Sequence, residues 1–270
     1  MSDTEKLKEL RLRILKAANV TKEGHIASAF SVLEIIYALY RYVLNYRPLE
    51  PTWEGRDYFL LSKGHGAMAL YAVLGEMKFF DIGLLNTYYQ KDSILGGHPD
   101  RNKVPGVEIS SGSLGHGLPI AVGLAMALKQ AGSKQRVFVL VGDGELNEGS
   151  NWEALMIAGA KSLSNLYVFV DYNHSTDAAL DLDPLHTKLA GFNLELRTAA
   201  GHIVPDIVKW AQPGNEFIDI QLPQPKVIIA HTIKGGGVRT IEQNPQMWHH
   251  RSPTNAELEQ FTQELCANNS

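Results

Sequence analysis

Two stretches of this chain, Arg136-Val-Phe-Val-Leu-Val141 and Asn165-Leu-Tyr-Val-Phe-Val170, are apolar at every position after the first. A strand with one face in water alternates apolar and polar residues; an unbroken apolar run belongs to a strand covered on both faces. Between the two lie a glycine turn, Gly142-Asp143-Gly144, and a helix expected over Ser150 to Ser162. Buried strands joined through a helix run parallel. Lys226-Val-Ile-Ile-Ala-His231 and Asp57-Tyr-Phe-Leu-Leu-Ser62 add two strand signals, with a weaker one near Leu194 to Arg197. Leu7, Leu10, Ile14 and Leu15 recur at helical spacing and predict a helix over Glu5 to Val20. Further helices are expected over Phe30 to Leu44, Ala67 to Met77, Leu118 to Lys129, Pro184 to Ala190 and Ile203 to Ala211, with an irregular stretch from Leu84 to Pro105. This alternation predicts an α/β fold, a parallel sheet with helices on both faces. No repeat or linker divides the chain. One domain over 1–270 is expected, with N-terminal helices in 1–50 and a frayed end over 267–270.

Charge and cysteine content narrow the function. Lys and Arg total 25 and Asp and Glu 29, a net charge of −4, so no basic excess exists to hold a nucleic acid. Cys266 is the only cysteine, which excludes an internal disulfide and a cysteine-rich zinc site. The N-terminus is charged from Asp3 and lacks the apolar centre of a signal peptide, and no apolar run is expected to reach bilayer length. A cytoplasmic chain with no membrane partner is the expectation.

The placement of histidine points to a site. Chance would give about one Gly-His pair. There are five: Gly24-His25, Gly64-His65, Gly97-His98, Gly115-His116 and Gly201-His202. Glycine permits sharp turns and close approach to a ligand, and histidine supplies a donor, an acceptor or a proton carrier. In a parallel sheet ligands sit at the carboxyl ends of the strands, where several of these turns fall. Gly142-Asp143-Gly144 looks at first like a dinucleotide loop, but Gly149 falls two places late and the Asp143 carboxylate would repel a pyrophosphate. A divalent cation between them removes that repulsion. Asp143 and Asn173 end successive strands and offer hard oxygen ligands suited to Mg²⁺. The other reading of Asp143 is a helix cap. No phosphate-binding loop of the G-x-x-x-x-G-K-[ST] type is present.

Seven motifs, in order and spacing, resemble the N-terminal, diphosphate-binding half of transketolase. They are Glu23-Gly-His-Ile-Ala-Ser-Ala29, Leu61-Ser-Lys-Gly-His-Gly66, Gly97-His-Pro-Asp100, Gly112-Ser-Leu-Gly-His-Gly117, Gly142-Asp-Gly-Glu-Leu-Asn-Glu-Gly149 with Asn173 after it, His231-Thr-Ile-Lys-Gly235 and Trp248-His-His-Arg-Ser-Pro253. The resemblance runs from about Leu10 to Pro253. It implies thiamine diphosphate as cofactor, with Mg²⁺ or another divalent cation such as Ca²⁺. It implies that His65 meets the diphosphate end and that Gly112, Ser113 and Leu114 lie against the cofactor, with Gly142 and Gly144 in the turn. Asp143 and Asn173 match the side-chain metal ligands, and Ser175 the carbonyl ligand. His25, His98 and His249 match histidines lining the substrate channel; His250 beside His249 leaves that position open by one residue. Glu148 resembles an acid that helps to position a glutamate of the pyrimidine-binding half. Ser150 or Asn151 as a cap, with Glu145 and Glu148 at the helix dipole, is the plainer reading of this turn.

Some positions depart from the family. Tyr172 replaces an Asn or Asp, His174-Ser175-Thr176-Asp177 follows the ligand Asn, Ile203 follows Gly201-His202, and Lys234-Gly-Gly-Gly237 replaces Lys-Gly-Lys-Gly. Together these departures leave cofactor binding in place as the expectation and put the ordinary sugar-phosphate substrates in doubt. With the chain ending soon after Trp248, a pyrimidine-binding domain is not expected within it. The resemblance therefore implies the N-terminal, diphosphate-binding subunit of a split transketolase, moving a two-carbon ketol unit from a ketose to an aldose. A C-terminal, pyrimidine-binding subunit would complete an α₂β₂ heterotetramer. Helix Leu118 to Lys129 and the region of Trp152 are the expected partner-facing surface. A thiamine-dependent acyl-transfer or synthase subunit of specialised metabolism, and a non-enzymatic cofactor-binding partner, remain as alternatives.

Overall fold

The computed structural model describes residues 1–177, 179–212 and 223–267. At its centre are five parallel strands: β1 Tyr58–Leu61, β2 Val137–Gly142, β3 Leu166–Tyr172, β4 Glu195–Ala200 and β5 Lys226–His231, in the order β1-β2-β3-β5-β4. The register sets Gly142 beside Asp171, and Tyr172 beside His231, so the carboxyl ends of the three inner strands lie level. The continuous apolar runs are explained by what each face meets. Phe138, Leu140, Tyr167, Phe169 and Ile228 enter one core; Val137, Val139, Val141, Val168, Val170 and Ile229 enter the other.

The larger core lies under α1 Asp3–Thr21, α2 Ile26–Ala38 and α3 Ala67–Glu76. The smaller lies under α4 Gly117–Gln130, α5 Gly149–Ala160 and α6 Leu185–Leu189. The larger core also takes in α7 Val204–Ala211, Ile241 of α8 Arg239–Gln243, and Phe261 and Leu265 of α9 Asn255–Ala267. Ser2 and Glu5 close a reciprocal cap on α1, the Ser2 hydroxyl accepting from the Glu5 N–H and Glu5 accepting from the Ser2 N–H at 2.7 Å. That moves the start ahead of the expected Glu5.

Several expectations need correction. The second helix starts at Ile26 rather than Phe30, and every residue of α2 is buried. A π-helical turn, Leu39–Val43, continues it. The combined helix Ile26–Val43 has 18 residues and a mean hydropathy of 1.3, so by length and composition it does reach bilayer size. With 89% of that window buried inside the protein, it is the central helix of the larger core. The irregular stretch from Leu84 contains the end of a 3₁₀ turn, Ile82–Thr87. Ala267 closes α9, and the rest of the expected frayed end, 268–270, lies outside the described residues.

Candidate active site

The carboxyl ends of β1, β2, β3 and β5 open into a cleft of about 280 Å³. Each strand delivers its polar residues there by ending: Lys63 and His65 after β1, Asp143 to Glu145 after β2, Asn173, Ser175 and Thr176 after β3, and Lys234 after β5. Gly64 lets the loop after β1 touch the segment before α4, since a Cβ there would lie 2.8 Å from the Gly112 nitrogen. The Ser175 N–H donates both to Asp143 Oδ2 at 3.2 Å and to Asn173 Oδ1 at 3.0 Å. Two side-chain oxygens from adjacent strands therefore converge on one point. The Asn173 amide nitrogen donates away from the cleft, to Asp171 at 3.0 Å and Ser31 at 2.9 Å, which fixes the oxygen toward Asp143. Asp171 is fully buried and also accepts from Ser31, Thr232 and Lys63.

Asp143 lies in this cluster with its carboxyl raised above the usual range, by burial and then by Asp171. Its Oδ1 accepts from the Gly144 N–H at 2.7 Å, so it does cap the short 3₁₀ turn Gly144–Asn147, while Oδ2 serves the convergence with Asn173. The cap reading and the ligand reading thus occupy different oxygens. The neighbouring helix is not capped as expected. Neither Ser150 nor Asn151 is its cap residue; Ser150 donates to the Gly115 carbonyl and Asn151 to the Glu145 carbonyl, each at 2.6 Å. Glu145 is buried in the first turn of that 3₁₀ segment rather than at the start of α5, and accepts from Ser62, from Gly115 at 2.9 Å and from Gly142 at 3.3 Å.

The cleft suits an anion. Lys234 is 8% exposed and, among the described residues, no hydrogen-bond or ion-pair partner holds its amine. Burial, and then the nearby Lys63, lower its proton affinity. An unpaired buried cation is costly unless a ligand supplies the opposite charge. The hydroxyls of Ser28 and Thr176, both in the cleft lining, are likewise buried without a partner. One carboxylate, one amide oxygen and the Ser175 carbonyl also make a hard oxygen set for a divalent cation. This donor set and the two orphaned hydroxyls fit a magnesium diphosphate.

Imidazoles gather beside this polar end. His25 is central, with ring centroids 5.9 Å from His65, 6.2 Å from His98, 5.5 Å from His249 and 4.5 Å from His250. Burial, and then the neighbouring imidazoles, push His25 down to about 4. Burial also lowers His65, His98 and His249. Trp248 is buried against Phe261 and anchors the segment that presents His249.

The structure brings His65, Leu114, Gly142, Asp143, Gly144, Asn173, Ser175 and His249 to the lining of one cleft. It sets the other expected residues around it. His25 and His98 belong to the imidazole group, while Gly112 is backed by the His98 ring. Ser113 and Glu148 lie outside the lining, and Glu148 is exposed, with its Cβ against Gly115. His249 lines the cleft, while His250 stands 3.5 Å from Glu23 with its ring 4.5 Å from that of His25, so both imidazoles remain beside the group. Sequence reasoning missed Ser28, Lys63, Glu145, Thr176, Lys234 and Gln246 as lining residues. Lys63 and Lys234 stood inside recognised motifs without a role. His174 and Asp177 pair with each other at 2.8 Å and do not line the cleft.

Comparison with known proteins gives a consistent result. The family described as transketolase, thiamine diphosphate binding domain, matches residues 2–265. The A subunit of the apulose-4-phosphate transketolase of Actinobacillus succinogenes is 41% identical over 270 residues, covering 97% of this chain and 95% of the relative. The protein of the same name from Phocaeicola vulgatus is 34% identical over 260 residues, covering 94% and 90%. The crystal structure of transketolase from Campylobacter jejuni superposes with a TM-score of 0.85 at 27% identity; it covers 98% of this chain, which spans 43% of that one.

Proposed function

This chain belongs to the transketolase family through its thiamine diphosphate-binding domain, and from that membership we propose that it is the diphosphate-binding subunit of a split transketolase. It would transfer a two-carbon ketol unit from a ketose donor to an aldose acceptor, in the cytoplasm, as half of an α₂β₂ assembly. The relatives matched over 95% and 90% of their length are themselves named as subunits of a transketolase rather than as the whole enzyme. Their names make a sugar phosphate the first donor class to test.

The buried Lys234, which lines the cleft with Asp143 and Asn173 and whose amine has no hydrogen-bond or ion-pair partner among the described residues, is the observation that carries the reading. Asp143, Asn173 and the Ser175 carbonyl would hold Mg²⁺. Lys234, His65 and the free hydroxyls of Ser28 and Thr176 would hold the diphosphate. Thiamine diphosphate supplies an electron sink for the two-carbon unit when bound. The protein's own residues then place the sugar. His25, kept off its cationic form by burial, offers one N–H and one lone pair to a sugar hydroxyl. His249 lines the cleft, and His98 stands across from His25, so an extended polyol chain meets imidazoles on more than one side.

The test is ketol transfer by the chain mixed with its pyrimidine-binding partner, Mg²⁺ and thiamine diphosphate. The pair should be active. Asp143→Ala should abolish Mg²⁺-dependent cofactor binding in calorimetry, because the only carboxylate of the ligand set is gone. Unchanged cofactor affinity in that variant would sink the metal assignment, and ketol transfer by the lone chain would sink the split-enzyme reading.

A further inference from the structure

Lys234 owes its place to a turn that is gripped on both sides. Ahead of it, the Ile233 N–H donates to His202 Nε2 at 2.8 Å. Behind it, the Gly236 carbonyl accepts from Arg11 Nε at 2.8 Å. Both grips meet on one carboxylate: Glu34 accepts from Arg11 Nη2 through Oε1 and from His202 Nδ1, at 3.0 Å, through Oε2. The three side chains come from α1, α2 and the turn after β4, and none lines the cofactor cleft. We propose that Arg11, Glu34 and His202 form a positioning brace, which sets the 233–236 backbone and so aims the Lys234 amine at the diphosphate. The inference rests on the cofactor reading of the cleft given above.

Two features argue for placement rather than stability alone. Glu34 is 5% and Arg11 6% exposed, and removing such a pair from water offsets most of its attraction. What the pair does provide is direction, because a carboxylate with two fixed donors holds both in one geometry. The turn is also seated flush on the brace. A Cβ at Gly236 would lie 2.7 Å from the His202 ring, and one at Gly237 would lie 2.7 Å from Arg11 Nε. The unusual Lys234-Gly-Gly-Gly237 run is thus the complement of this surface: glycines let the backbone, rather than a side chain, receive the grips. Burial pushes the Glu34 carboxyl up, but Arg11 and His202 together hold it below the usual range, as an anion.

The experiment is calorimetric titration of magnesium thiamine diphosphate into the chain assembled with its partner, for His202→Ala, Lys234→Ala and the double variant. Lys234→Ala should weaken binding about tenfold, and His202→Ala about three- to tenfold; the double variant should be no weaker than Lys234→Ala by more than about twofold. His202→Gln, which keeps an acceptor for the Ile233 N–H and a donor for Glu34, should recover most of the loss. Should His202→Ala fail to fold, Arg11→Lys reads the same coupling, since it keeps the charge and loses the directed bond to Gly236. Equal loss on the native and Lys234→Ala backgrounds would show a general structural effect and overturn the brace. So would no loss in His202→Ala while Lys234→Ala binds weakly. If Lys234→Ala itself binds normally, the cofactor role of Lys234 falls, and the brace with it.

Discussion

Burial does opposite things to the two kinds of group in this cleft, and both outcomes leave it ready for an anionic ligand near neutral pH. Asp143 is raised yet bonded to the N–H groups of Gly144 and Ser175, while Lys234 is lowered by burial and by Lys63, with the Asp143 and Asp171 carboxylates opposing that shift and no anion bonded to its amine among the described residues. The imidazoles give this a measurable consequence. His25 titrates at about 4 when folded and near 6.5 when unfolded, so between those values the unfolded chain binds the extra proton. The stability tied to neutral His25 is therefore complete above about pH 6.5 and is lost as the pH falls from there toward about 4. His65, His98 and His249 shift in the same direction and deepen the loss. Thermal unfolding of the cofactor-free chain should show a midpoint that drops across that window, and His25→Gln should shrink the drop. A variant with the same acid sensitivity as the native chain would place the titrating groups elsewhere. The histidines were legible in the sequence because each sits in a distinctive pair with glycine or with another histidine. Lys63, Lys234 and Ser28 were not, because what singles them out is burial with or without a partner, and partners separated by more than a hundred residues, such as Lys63 and Asp171, leave no local pattern.

Among the strands, legibility followed how completely each is buried. The inner strands β2, β3 and β5 announced themselves because both faces are covered, and β5 falls where its apolar run begins and ends. Helix α9 escaped notice because only Phe261 and Leu265 of its residues are buried, too few to make a stripe. The connections between elements were harder still. Glu145 read as a carboxylate favouring a helix dipole, yet it joins three loops: Ser62 after β1, Gly115 before α4, and Gly142 at the end of β2. Its carboxyl is raised by burial, and its two oxygens accept from all three segments. Glu145→Gln keeps the size but offers one acceptor oxygen and turns an NH₂ group on backbone donors. Leaving a buried donor unpaired costs about 1–3 kcal/mol. Chemical denaturation should register a loss of that order, and thiamine diphosphate should bind more weakly because the loops bearing Leu114 and Asp143 lose their common anchor. A loss of stability with cofactor affinity intact would mean that the carboxylate supports the core and does not order the cleft.

At the scale of the molecule, the sheet and its two cores are closed, but the helices beside the cofactor cleft are not. The α4 helix runs out of the loop that carries Leu114, and α5 starts two residues after Asn147 ends the turn that carries Asp143. They pack on each other, yet Ile120 is 46%, Met126 37%, Met156 53% and Ile157 43% exposed. Trp152, the other expected surface residue, is instead largely covered: its Nε1 donates to the Leu146 carbonyl at 2.6 Å and its ring meets Phe192. Exposed apolar groups next to the cleft are what a partner subunit would cover. Glu148 stands at the same edge, exposed at the start of α5. Ile157→Asp and Ile120→Asp place charge on that surface while touching little of either core. Each should leave the unfolding midpoint of the isolated chain nearly unchanged, because substitutions at exposed sites cost within about 0.5 kcal/mol. In sedimentation or light scattering against the pyrimidine-binding partner, each should weaken assembly, since a charge buried in an interface without a counterpart costs far more than one left in water. Ketol transfer should fall in step with assembly and return when the concentration of the partner is raised. Normal assembly by both variants would move the interface off these helices, and loss of activity without loss of assembly would mean that α4 and α5 act on the cleft directly.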